Sequence, residues 1–180
     1  MAHGTTRQVL SLITNPIDVI CGNLKTVHDM MPDRPDILGA HLEGPFLAMP
    51  RKGAHDPNCL VDPTPDLVSR MLDAADGCLR QITIAPELPH GIDAIRRFFL
   101  AGVVPAVGHC DADYQTARKG FDAGAGIMTH MFNAMNGLHH RDPGPIPAAV
   151  EDPRVTIELI NDGFHRAGSH GQARIRACAP

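Results

Sequence analysis

Residues 103–130, Val-Val-Pro-Ala-Val-Gly-His-Cys-Asp-Ala-Asp-Tyr-Gln-Thr-Ala-Arg-Lys-Gly-Phe-Asp-Ala-Gly-Ala-Gly-Ile-Met-Thr-His, decide the fold. An apolar run from Val103 to Gly108 reads as a strand and ends at His109. Ala112 to Ala123 reads as a helix, closed by Gly124. Ile127 to His130 reads as a short second strand, so one strand-helix unit separates two histidines at strand ends.

The same rhythm extends in both directions. Gln8–Thr14, Ile37–Glu43, Gln81–Pro86 and Val155–Asn161 read as further strands. Asn15-Pro16 is expected to cap a helix and supply its first residue, with Ile17, Ile20, Leu24, Val27 and Met31 on one face. Thr64-Pro65 opens a helix whose inward residues are Leu67, Val68, Met71, Leu72 and Ala75, and Ile92–Ala101 forms another. A Pro/Gly-rich loop spans Gly44–Pro63, and a long loop with one helical turn follows His130. The strands lack polar alternation, which suits a parallel sheet, so the class is α/β. Glu43, His109, His130 and the Asp162–His165 group all fall at strand C-termini. Those ends converge in a (β/α)8 barrel, whereas an open doubly wound sheet gathers only the strands at its switch point. Six strands fall short of eight, so the expected fold is an incomplete TIM-barrel-like one.

Composition narrows the partners. The chain has 180 residues, a formal charge of −4 and no run of like charges, which argues against nucleic acid and membrane surfaces. The first residues show no secretory signal, and no apolar stretch is long enough to span a bilayer. Five cysteines without a C-x-x-C pair argue against disulfides or a thiolate zinc site and fit a reducing cytoplasm.

Glu43 closes an apolar strand before Gly44-Pro45, where burial demands a cation or hydrogen bonds. A salt-bridged or capping glutamate satisfies that demand equally well. His109 and His130 are neighbours by topology, and one carboxylate with two imidazoles is a donor set for zinc or iron. Asn133 offers a donor and an acceptor, and Arg141 can fork onto a phosphate or carboxylate or simply stand in water. His165 can meet a carbonyl oxygen or cap its turn, and His55 lies on the long loop after Glu43. His3, His28, His90 and His170 have no such setting and read as surface residues.

Six strings in order, HLEGPF (41–46), KGAH (52–55), VGHCDADY (107–114), THMFNAM (129–135), HHRDPGP (139–145) and INDGFH (160–165), resemble the N-acetylglucosamine-6-phosphate deacetylases of the amidohydrolase superfamily. His3-Gly4-Thr5-Thr6 also fits, as the start of that family's second barrel strand. The resemblance implies metal-dependent deacetylation of N-acetyl-D-glucosamine 6-phosphate. It implies Glu43, His109 and His130 as ligands of a divalent ion, zinc or iron. It further implies substrate contacts from Ala54, His55, Asn133, Ala134, Arg141 and His165, and a homodimer in which Arg141 reaches the neighbouring site. Residues 1–165 match a partial barrel of about strands 2 to 7, and 166–180 form a non-matching tail. The family's first-strand H-x-H segment, its eighth-strand catalytic Asp and its small β-domain find no match, which implies impaired turnover and no assigned catalytic residue. The alternatives are a non-catalytic binder of metal or sugar phosphate, and another amidohydrolase such as a dihydroorotase-like enzyme. Glu43 stands where the latter group carries a modified lysine.

Overall fold

The computed structural model describes residues 4–165; the 166–180 tail, Cys178, His3 and His170 lie outside the described residues. Six strands form one all-parallel sheet in sequential order: β1 (Gln8–Ile13), β2 (Ile37–Glu43), β3 (Leu79–Ile84), β4 (Val104–Val107), β5 (Ile127–Met128) and β6 (Thr156–Ile157). Between them run α1 (Ile17–Met30), α2 (Pro65–Ala75), α3 (Gly91–Leu100), α4 (Tyr114–Asp122) and α5 (Pro145–Val150). Strictly sequential parallel order is the arrangement of a barrel wall, in which every crossover advances one strand.

Side-chain alternation gives the sheet two unlike faces. On β2, Ala40 and Leu42 point outward and are fully buried against the helices. There they join Ile20, Leu24, Val68, Met71, Ile95 and Phe98 in one core. His41 and Glu43 take the opposite face, with Ser11 of β1, Gln81 of β3 and Thr129 after β5. That concave face corresponds to a barrel interior and is lined mainly by polar groups.

Three expectations need correction. Asn15 does not cap α1: its Nδ2 donates to the Ile13 carbonyl (3.1 Å), Pro16 takes the cap position and the helix begins at Ile17. The fourth helix starts at Tyr114, because the Asp113 side chain accepts from Thr116 N (2.7 Å) and caps it there. The sixth strand is two residues long, because its ladder cannot outrun a partner that pairs only at Ile127 and Met128.

Candidate metal centre

Glu43 is the last residue of β2, His109 lies two residues past the end of β4, and His130 two past the end of β5. The register row Ile13–Glu43–Thr83–Ala106–Ile127–Thr156 runs straight across the sheet, so the strands end at one level. His109 (φ 46°) and His130 (φ 28°) both occupy the left-handed region. Such strained conformations outside glycine cost on the order of 1–3 kcal/mol and collect at functional sites. Here they turn the chain sharply two residues beyond the end of β4 and of β5.

The three side chains meet. His109 Nε2 is 2.9 Å from Glu43 Oε1, His130 Nε2 is 3.0 Å from the same oxygen, and the two ring nitrogens are 3.0 Å apart. The His109 ring, then the His130 ring, draw the Glu43 carboxyl well below the usual carboxylate range against the opposing effect of burial. His109 Nδ1 donates to the Arg51 carbonyl at 2.8 Å. A carbonyl only accepts, so this bond fixes the proton on Nδ1 and leaves a lone pair on Nε2 of the neutral ring. That lone pair faces a carboxylate oxygen, and two acceptors so close require a proton or a cation between them. His130 Nδ1 is buried with no hydrogen-bond partner among the described residues, so the His130 proton is not held at that end. One carboxylate and two imidazoles, one of them oriented by a main-chain acceptor, fit a divalent transition ion.

His55 completes the cluster. It is buried, its Nε2 lies 4.0 Å from Glu43 Oε1, and its ring meets that of His109 edge-on. The donor atoms of Glu43, His55 and His109 all fall within 4.8 Å of one another, so His55 borders the centre as well as the loop. Gly53 allows this approach: at φ 57° it lies so close that a Cβ there would stand 3.2 Å from His109 Cε1.

The other expected residues are placed differently. Asn133 is half-buried beside the cluster and donates to the His130 carbonyl at 3.2 Å, and Ala134 follows at φ 50°. Ala54 is exposed on the loop, with its neighbour His55 turned inward. Arg141 is exposed, and its side chain is recorded against His140 (3.0 Å), with no contact to the Glu43 cluster among the described residues. His165 is also exposed, its Nδ1 2.6 Å from Asp162 Oδ2. Asp162 accepts from the backbone N–H groups of Phe164 and His165, which with the His165 ring hold its carboxyl at about 2.

Beneath the cluster lies a chain that the sequence reading did not single out. Ser11 Oγ meets His41 Nδ1 (2.5 Å), His41 Nε2 meets Thr83 Oγ1 (3.1 Å), and Thr83 Oγ1 meets Thr129 Oγ1 (2.9 Å). His41 was legible, because it precedes Glu43 by two residues on one strand and must share its face. The Arg51 carbonyl was not legible, since a main-chain acceptor leaves no mark in residue type.

Known proteins share this fold. The chain is 36% identical over 166 residues to the N-acetylglucosamine-6-phosphate deacetylase of Vibrio furnissii, covering 90% of this chain and 41% of that protein. It superposes on the crystal structure of N-acetyl-D-glucosamine-6-phosphate deacetylase from Mycobacterium smegmatis with a TM-score of 0.95 and 42% identity, covering 99% of this chain and 47% of that one. The chain is similar to one part of an N-acetylglucosamine-6-phosphate deacetylase. A variant of the Mycobacterium smegmatis deacetylase, solved in complex with N-acetyl-D-glucosamine 6-phosphate, matches equally well, with a TM-score of 0.95. An N-acetylgalactosamine-6-phosphate deacetylase of Escherichia coli O157:H7 is 35% identical over 156 residues, covering 85% of this chain and 41% of that protein. The chain thus spans about two-fifths of the length of the curated relatives it matches. No family model matches it. No helix among the described residues is long and apolar enough to cross a membrane.

Proposed function

We propose that this chain carries the metal-binding half of a deacetylase acting on N-acetyl-D-glucosamine 6-phosphate, releasing D-glucosamine 6-phosphate and acetate. The observation that supports this most is the convergence of Glu43 Oε1, His109 Nε2 and His130 Nε2 within 3.0 Å of one another at three strand ends. These three residues would hold the ion, zinc or iron. When bound, such an ion supplies Lewis acidity and acidifies water near neutral pH. The chain's own residues do the rest. The Arg51 carbonyl orients His109, Asn133 and the backbone at Ala134 present polar groups beside the cluster, and the loop of Ala54 and His55 closes one side. Arg141 serves as the phosphate clamp, and its exposed position away from the cluster suits a residue that reaches the neighbouring site of a homodimer. His165 contacts the acetamide carbonyl once the ligand draws it from Asp162. A cytoplasmic setting accords with a phosphorylated sugar and free cysteines.

A second reading, binding without turnover by these 180 residues, is favoured by Asp162. Its oxygens are taken up by its own turn and by His165, so it is poorly placed as a general base. Acetate release from N-acetylglucosamine 6-phosphate at saturating zinc separates the two readings. Activity places a working base within the chain, whereas ligand binding without release supports the second reading. Arg141→Ala should weaken the phosphorylated sugar by about 2–5 kcal/mol, if the contact is desolvated, and spare the unphosphorylated one. Equal loss for both would remove Arg141 as the clamp.

A further inference from the structure

Thr14 follows β1 and is only 5% exposed. Its Oγ1–H donates to the Glu43 carbonyl at 2.9 Å. A carbonyl has no hydrogen to give, so the single hydroxyl proton of Thr14 is committed there. The same Oγ1 lies 2.8 Å from His55 Nδ1. With its proton spent, the oxygen can only accept, and Nδ1 must carry the hydrogen. Nε2 of the neutral ring then holds the lone pair, on the side that faces Glu43 at 4.0 Å. A flipped ring would set a carbon against the Thr14 oxygen and forfeit the bond. Gly44 keeps the arrangement closed, because a Cβ at that position would collide with Thr14 Oγ1.

We propose that Thr14 is a positioning residue that locks His55 with its Nε2 lone pair facing the candidate centre. His55 thereby turns an acceptor, and not a donor, toward the candidate centre. This deepens the functional reading by fixing the direction of one contact, while the lock itself stands on protein groups alone. The test is nitrogen-proton correlation NMR of the intact chain with labelled histidine, at mildly alkaline pH. Wild-type His55 should carry its proton on Nδ1. Thr14→Val, which keeps the shape and deletes the hydroxyl, should move the dominant proton population to Nε2, and Thr14→Ser should restore it. A dispersed amide spectrum reports separately that each variant is folded. A wild-type His55 protonated on Nε2 overturns the proposal without any variant, and so does a folded Thr14→Val chain that keeps the proton on Nδ1. Failure to bind or turn over the sugar phosphate would count against the functional reading and would leave the measured tautomer unaltered.

Discussion

At Arg51 the main chain and the side chain act in different places. The carbonyl holds His109 Nδ1, while the guanidinium reaches Asp111 Oδ1 (2.9 Å) and the side-chain oxygen of Asn136. Asn136 Nδ2 in turn donates to the Asp111 carbonyl (3.1 Å), so three loops meet at one arginine. An ion pair this exposed contributes little to global stability. Its effect is local, since it fixes the carbonyl that orients His109, a ligand of the proposed metal centre. Partners of this kind typically alter metal affinity by about 10–100-fold. Arg51→Ala should therefore weaken zinc binding within that range, measured by chelator competition, with the circular dichroism spectrum unchanged. Unaltered affinity would show that the loop holds its shape without the guanidinium.

Element boundaries follow local chemistry that single residues control. The Asp113 cap sets the start of α4, the helix that follows His109. Asp113→Ala should destabilise the chain by about 0.5–2 kcal/mol, read as a shifted urea midpoint at constant slope. Ahead of β6, Asp152 is buried and bonded to Arg154 through both carboxylate oxygens (2.9 and 2.6 Å). Arg154 holds its carboxyl down at about 2, against an ordinary 3.8. A carboxylate depressed on folding stabilises the native state above its unfolded value, and that stability is lost as pH falls toward the folded value. Stability should thus decline between about pH 4 and pH 2. Asp152→Asn should flatten that part of the profile, measured by urea titration at stepped pH. An unchanged slope would assign the acid sensitivity to other carboxylates.

For the molecule as a whole, legibility tracked how far each signal was carried by side-chain pattern. Ile37–Glu43 was found at both ends, because its apolar run stops at Gly44-Pro45. Val155–Asn161 was overextended, because strand length there depends on the short partner β5 and not on its own apolar residues. Glu43, His109 and His130 were legible as a set, since the topology of sequential parallel strands brings their ends together. Thr14 and the Arg51 carbonyl were not, since they act through a hydroxyl direction and a peptide oxygen. Arg141 and His165 were singled out by residue type; both stand exposed, with side-chain hydrogen bonds to His140 and Asp162 and none to the Glu43 cluster among the described residues.

The central claim is that Glu43, His109 and His130 form one cation site. The direct measurement is zinc content by elemental analysis after loading and exhaustive dialysis, on the wild-type chain and on His109→Ala/His130→Ala. The account predicts about one ion per wild-type chain at neutral pH, since metal ligation calls for neutral imidazoles. It predicts near-complete loss in the double variant, with amide dispersion showing that the variant is folded. Equal zinc content in the two folded proteins would contradict it.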